Sequence, residues 1–293
     1  MPVVGFNELR KHASDFQYRL TLVDVITLPI VKGVIKSSAE LDAPVVLAVD
    51  GNTLKAGLLP SLEAMARQAP SPVSLLANHI QNADQAVLAV RLGCNALVLA
   101  DGLTDPVMNE IRSIAESCGI PVLEQQALSE SQLDIDQELE SATLAVIGQA
   151  PSSWQEIDAS VTQAAASHMH AVFDKSGAKG QGRALLESCK PWRPVEHLIV
   201  YNTLTDEAAS EEMAAEGRRV LDKLPGVRAT WSGRALTPDA GYRWCWLIRF
   251  AHPAVIDSYR EHPDHVAYAD NHFRPAAGDR ISIDYELTGA DEP

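Results

Sequence analysis

Two α/β parts are predicted: a β/α barrel, short of one strand, over residues 1–190, and a smaller α+β domain over residues 195–290. Three observations predict them. From about residue 19 to 174, short aliphatic and β-branched runs alternate with longer stretches of helical period. The glycine-rich run 176–182 and the stiff Lys190-Pro191-Trp192-Arg193-Pro194 then break that beat, which puts a boundary near 190–195. Beyond it the elements follow the order β-α-β-β-α-β.

Strands are expected at 20–27, 44–49, 72–77, 96–100, 121–124, 143–147 and 171–173. Between them, Ala86, Val87, Ala89 and Val90, and again Met108, Ile111, Ile114 and Ala115, recur at helical spacing. Continuously apolar strands separated by helices pair in parallel, because a parallel crossover needs a helix and buries both sheet faces. Seven or eight such units favour a barrel over the alternative, an open doubly wound sheet. Some twenty residues separate the last unit's loop from the next domain, so an eighth strand has little room.

In the second part, strands are expected at 197–203, 227–233, 242–250 and 280–287, with helices at 206–224, 254–261 and about 266–273. The third strand alternates Tyr242, Trp244, Trp246, Ile248 and Phe250 with Arg243, Cys245, Leu247 and Arg249. Four antiparallel strands with helices on a single side leave one sheet face bare. Aromatic side chains on an uncovered face of so small a domain need a partner, so a homodimer or higher homo-oligomer is expected.

Composition narrows the function classes. The chain has 293 residues, 46% apolar and 22% charged, as in soluble globular proteins. Lys and Arg number 13 against 22 Asp and Glu in residues 1–190, and 11 against 17 thereafter, net −9 and −6. Acidic halves argue against nucleic acid and favour a small-molecule ligand. No apolar run is long enough to span a bilayer and no leader is evident, so no membrane partner and a cytoplasmic location are expected. Cys94, Cys118, Cys189 and Cys245 are scattered and read as buried free thiols.

Residues 22–125 resemble the class II, zinc-dependent ketose-bisphosphate aldolases, which are TIM-like (β/α)8 barrels. The likeness runs through Leu22-Val23-Asp24-Val25, Ala43-Pro44-Val45-Val46-Leu47-Ala48-Val49-Asp50, Pro72-Val73-Ser74-Leu75-Leu76-Ala77-Asn78-His79, Leu92-Gly93-Cys94-Asn95-Ala96 and Cys118-Gly119-Ile120-Pro121-Val122. Where that family carries His-Leu-Asp-His on its third strand, this chain has Leu76-Ala77-Asn78-His79. The resemblance therefore implies Asn78 at the catalytic position and His79 as a zinc ligand. The family's second zinc His falls at Gln149-Ala150-Pro151 and its third at Asp174, leaving His79, Asp174 and Glu124 as the candidate donors of a degraded zinc site. A catalytic zinc takes three protein ligands and one open position.

Lys175, Ser176, Gly177, Lys179 and Gly180 stand where the family's Gly-Gly-Ser-Gly loop binds phosphate; the alternative is a flexible exit loop. Asp24 and Asp50 end the first two strands and would point into the barrel mouth toward a substrate, or with Asp101 and Glu124 toward Mg²⁺, or simply cap the strands. His168 and His170 are expected on the surface.

The second part resembles the stress-responsive dimeric α/β-barrel (Dabb) family. The carrying segments are His197-Leu198-Ile199-Val200-Tyr201, Leu224-Pro225-Gly226-Val227, the run Tyr259-Arg260-Glu261-His262-Pro263-Asp264-His265, and Asp279-Arg280-Ile281-Ser282-Ile283-Asp284-Tyr285. A plant polyketide cyclase of that family drives an intramolecular aldol condensation with three residues matching His197, Tyr259 and His265. The other reading of the His-Pro-x-His run is a helix-to-helix turn. Together the resemblances imply an aldolase-like lyase or aldol-condensation enzyme for a small phosphorylated or carboxylated metabolite. The alternative is a catalytically inactive ligand-binding or scaffold module on a dimerising platform.

Overall fold

A computed structural model describes residues 3–25, 27–124, 132–133 and 154–287. The chain forms two compact units, the first running to Trp192 and the second from Arg193, with Glu116–Gly119 grouped with the second. Among the described residues no helix is long and apolar enough to cross a membrane.

In the first unit α1 (Phe6–Asp15) precedes β1 (Leu20–Asp24), and α2 (Leu28–Leu41) leads to β2 (Val45–Asp50). A short 3₁₀ turn, Gly51–Ala56, and α3 (Leu58–Gln68) follow, then β3 (Val73–Ile80), α4 (Ala83–Arg91), β4 (Ala96–Leu99), α5 (Asp105–Ser117) and β5 (Val122–Leu123). All neighbouring strands pair in parallel, in the order β5-β4-β3-β2-β1, with β6 (Gln132–Leu133) on the free edge of β1. Consecutive order without reversal is the winding of a barrel wall; a doubly wound sheet reverses at a switch point. Among the described residues β5 and β6 do not pair with each other. The strand expected at 143–147 lies outside the described residues.

Both faces of this sheet are buried, as continuous apolar strands require. On one face Leu22, Val46, Ala48, Leu76 and Val98 form a core with Phe6 and Leu9 of α1 and Leu185 of α7 (Gly182–Ser188). Of the predicted strands, 171–173 is overturned: these residues belong to a long helix, α6 (Trp154–Ser176). Val161, Ala165, Ala166, Met169, Val172 and Phe173 are buried at three- and four-residue spacing, so the apolar trio at 171–173 is the end of a helical stripe. That stripe packs on α2, where Gly33 admits the close approach: a Cβ there would stand 2.4 Å from Thr162 O and 2.6 Å from Ala165 Cβ. Polar contacts continue the seam, with Thr162 Oγ1 donating to Pro29 O at 3.2 Å, Lys32 Nζ to Asp158 at 2.9 Å and His170 Nε2 within 2.7 Å of Glu40.

The second unit runs β7 (Val195–Thr203), α8 (Glu207–Leu221), β8 (Val227–Arg234), β9 (Trp244–Phe250), α9 (Val255–Glu261), α10 (Pro263–Tyr268), a π turn (Ala269–Phe273) and β10 (Ala277–Tyr285). Its antiparallel sheet has the order β10-β7-β9-β8. The Asp206 carboxylate starts α8 by accepting from Ala209 N at 2.9 Å. The aromatic face of the sheet is not the bare one, contrary to expectation. Trp246, Phe250 and Tyr201 are buried against Tyr268, Tyr259 and Phe273, with ring centroids 6.4, 4.8 and 5.1 Å apart. Large rings fill the deep helix-to-sheet space, and the opposite face carries aliphatic rows. Register places Ile283, Leu198, Leu247 and Trp231 across one row and Ile281, Val200 and Cys245 across the next. Trp231, Ile281 and Ile283 are 47%, 44% and 42% exposed.

Candidate functional site

At the carboxyl ends of the parallel strands, Asp50 and His79 form a pair. The β3–β4 register slips between Ala77 and Ile80, and His79 sits in that irregularity with a left-handed backbone, φ 52°. Asn78, buried, accepts the His79 N–H on its Oδ1 at 2.9 Å, which holds the turn. Asp50 Oδ1 accepts from Asn52 N at 2.7 Å, and its Oδ2 lies 2.9 Å from His79 Nδ1. A carboxylate only accepts, so the imidazole donates from Nδ1. Gly51 leaves room for this turn: a Cβ there would lie 2.9 Å from His79 O. Asp24, partly buried, ends the adjoining β1.

Asp174 and the glycine-rich run, also expected in the mouth, are elsewhere. Ser176, at the end of α6, accepts on its carbonyl from Arg19 N just ahead of β1, while Gly180 N donates to Leu41 O and Gly182 N to Asp42 O just ahead of β2. The run Lys175, Ser176, Gly177, Lys179 and Gly180 therefore lies where strands begin, at the opposite end of the sheet from His79. The correction follows from the seventh element being a helix, which reverses the end at which its exit loop emerges. Ser176 Oγ is engaged with Phe173 O at 2.9 Å and Ala178 N at 3.2 Å. Asp174 goes with that end and pairs with Lys179 at 3.2 Å; Glu124 is exposed and pairs with Arg112 at 2.8 Å.

His79, Asp174 and Glu124 thus do not converge, and among the described residues no group of three His, Cys, Asp or Glu could hold a metal ion. Residues 125–153 contain neither His nor Cys. A zinc site of the aldolase kind does not fit this donor set. Asn78 Oδ1, in turn, positions the backbone at His79.

In the second unit the three expected residues do come together. His262, extended at φ −61° and ψ 132°, caps α10 by accepting from Asp264 N on Nδ1 at 3.2 Å, and Pro263 opens that helix. This turn sets His265 against Tyr259 in α9, ring centroids 4.3 Å apart. Tyr259 also lies 6.3 Å from the ring of His197 on β7 and 4.8 Å from Phe250. His265 Nδ1 donates to Arg260 O at 3.0 Å, and His197 Nδ1 donates to Asp284 Oδ1 at 2.6 Å. Both imidazoles are therefore fixed through Nδ1, which leaves Nε2 turned away from these acceptors.

Burial lowers the His265 pKa below the ordinary imidazole value, opposed in part by the Arg260 carbonyl. Burial raises the Tyr259 phenol far above its ordinary value. The cluster thus pairs a neutral base with a phenol that keeps its proton. Asp284 was missed by sequence reasoning. The alternation of Arg280, Ser282, Asp284 and Glu286 on the last strand marks a polar face, but only the strand register sets Asp284 directly opposite His197.

Comparison with known proteins agrees with this division. Residues 195–287 match the family model of the stress responsive A/B barrel domain, Dabb. A Dabb protein of ferredoxin-like fold from Mesorhizobium loti is 23% identical over 33% of this chain and 98% of its own, with a TM-score of 0.31. The YdjI aldolase of Escherichia coli K12 is 13% identical over 61% of this chain and 99% of its own, with a TM-score of 0.53. A fructose-1,6-biphosphate aldolase structure from Coccidioides immitis is 12% identical over 60% of this chain and 96% of its own, with a TM-score of 0.43. No functionally curated protein sequence matches significantly. The chain joins an α/β unit similar in fold to the YdjI aldolase to an α+β unit whose residues 195–287 match the model of the stress responsive A/B barrel domain.

Proposed function

We propose that the protein is a cytoplasmic, homodimeric enzyme of aldol type, acting on a small carboxylated or acyl-linked oxo compound, with its reaction centre in the second unit. The observation that carries this reading is the packing of His265 against Tyr259 at 4.3 Å, with His197 alongside and both imidazoles fixed by their Nδ1 acceptors. His265 Nε2 takes a proton from carbon beside a carbonyl, the electron pair moves onto the carbonyl oxygen, and the Tyr259 hydroxyl donates to that oxygen. The enolate carbon adds to a second carbonyl, and His265 Nε2 returns its proton to the oxygen so formed, while His197, aligned by Asp284, stands alongside to orient the substrate.

The bare aliphatic face supports the dimer. Glu196 on that face is 4% exposed and pairs with Arg249 at 2.5 Å, and among the described residues its Oε2 has no hydrogen-bond partner. Buried carboxylate oxygens are rarely left so, and a second copy supplies donors. The reaction centre is tested by solvent deuterium exchange at C2 of an acetoacetyl thioester, followed by NMR with the full chain. His265→Gln is expected to lower the enzyme-dependent rate by about 10²-fold or more, and Tyr259→Phe by a comparable factor. Equal rates for the native protein and His265→Gln would refute the reading.

A further inference from the structure

We propose that the groove between α8 and the π turn of the second unit binds a monocarboxylate with an apolar body, its carboxylate held by Arg219, Lys223 and His272. The groove is distinct from the cluster around Tyr259 and does not depend on that cluster being catalytic. Two adjoining hollows form it. The larger, 540 Å³, is lined along its floor by Ala209, Met213 and Ala276, with Glu212 at its border. The smaller, 310 Å³, is lined by Val220, Lys223, Asp264, Ala267 and Tyr268. Glu216, Arg219, Asn271 and His272 line both and so stand at the junction. Small-molecule sites occupy about 300–1,000 Å³.

The wall facing α8 is built by a break in helical period. α10 runs into the π turn Ala269–Phe273, a conformation that is rare and recurs at functional sites, and this turn brings Asn271 and His272 to the groove. The His272 ring stacks on Tyr268, centroids 5.8 Å apart and planes 16° apart, and Tyr268 is itself anchored by its hydroxyl donating to Met213 O at 3.0 Å. Across from them, Arg219 donates from Nε and Nη2 to Glu216 at 2.9 and 2.5 Å, which fixes the guanidinium and leaves Nη1 for a further acceptor. The Arg219 hydrogen bonds, then the charges on Arg219, His272 and Lys223, hold the Glu216 carboxyl below the usual carboxylate range against partial desolvation, so three basic side chains converge on one carboxylate. That is an anion-binding setting in a chain of net charge −15. Glu216 at the junction, with Glu212 in one hollow and Asp264 in the other, disfavours a doubly charged phosphate and leaves room for a single negative charge. The alanines and Met213 of the larger hollow suit a hydrocarbon body.

The test is calorimetric titration of the full chain with octanoate, with 1-octanol and octylammonium as uncharged and cationic controls of the same body. The expected result is a Kd of about 1 mM or tighter for octanoate. Both controls should bind at least about 10-fold more weakly, and a variant carrying Arg219→Gln and Lys223→Gln should lose about 10-fold. Arg219 is 64% exposed, and exposed ion pairs contribute little to stability, so this variant should fold. Amide signals of Asn271 and His272 should shift when octanoate is added to the native protein, a readout that needs no variant. No binding of octanoate, equal affinity for octanoate and octanol, undiminished affinity in the variant, or shifts confined to residues outside the groove would each overturn the proposal. Displacement of octanoate by equimolar inorganic phosphate would overturn it as well, by making the site one for phosphate.

Discussion

Gly33→Ala sets two opposing effects of known size against each other. Exchanging glycine for alanine inside a helix stabilises it by about 1 kcal/mol, because the unfolded chain loses freedom and the helix gains a good former. The new methyl, however, would stand 2.4 Å from Thr162 O and 2.6 Å from Ala165 Cβ, with Ala166 N at 3.0 Å. Carbon contacts are optimal near 3.5–4.0 Å, so α2 and α6 must part by about 1 Å. Two of the three obstructing atoms are backbone, which cannot swing aside as a side chain would. Overpacking of this kind costs about 1–3 kcal/mol, and the upper end applies because the shift also stretches the Thr162–Pro29 contact along the seam. The net expectation is a destabilisation of about 1–2 kcal/mol, a lowering of the melting temperature by several degrees at ~2–4 °C per kcal/mol. Calorimetry with circular dichroism at 222 nm reads this directly. A Gly33→Ala protein that melts at or above the native temperature would refute the packing of α6 on α2, and with it the reassignment of residues 171–173.

Acid should weaken the fold through His12 and His265, both of which burial holds below the ordinary imidazole pKa; at His12 Asp15 offsets part of the effect. The unfolded chain binds these protons near pH 6.5 and the folded chain resists, so the stability they contribute is complete above that pH and lost as pH falls below it. Urea midpoints should therefore drop between about pH 7.5 and pH 5.5, and a flat or rising midpoint would contradict the burial of both rings. Leu247→Glu, which puts a charge in the central row of the bare face, should leave a monomer by analytical ultracentrifugation while the native chain should sediment as a dimer; an unchanged dimer would remove that face as the interface. Burial raises the Cys118 thiol to about 11, so it should resist a neutral-pH disulfide reagent until denaturant is added, and prompt labelling would place it at the surface.

How far the sequence could be read depended on whether the signal was local. The strands β1–β5 announced themselves because each is a continuous apolar run bounded by helical periods, and the His-Pro-x-His run announced the turn that joins Tyr259 to His265. Residues 171–173 misled because three apolar residues fit a strand and the end of a helical stripe equally well, and only Val161, Ala165 and Met169, read together with them, decide the period. The displacement of Lys175 and Lys179 followed from that single reversal. Asp284 and the Asp50–His79 contact were illegible for a different reason: each joins residues on neighbouring strands, and register is fixed by the whole sheet and by the slip between Ala77 and Ile80. The bare face was foreseen, but its side chains were exchanged with those of the covered face, since alternation tells two faces apart without saying which one the helices choose.

The backbone at position 79 bears on how this unit would respond to selection for robustness. Glycine adopts a left-handed φ without steric penalty, and a histidine held there forgoes about 1 kcal/mol that glycine would recover. Screening a library at this codon for heat resistance alone should enrich glycine and asparagine and discard the imidazole. A histidine that persists at this codon under functional selection would be kept for what its side chain does at the strand ends, at the expense of thermal endurance.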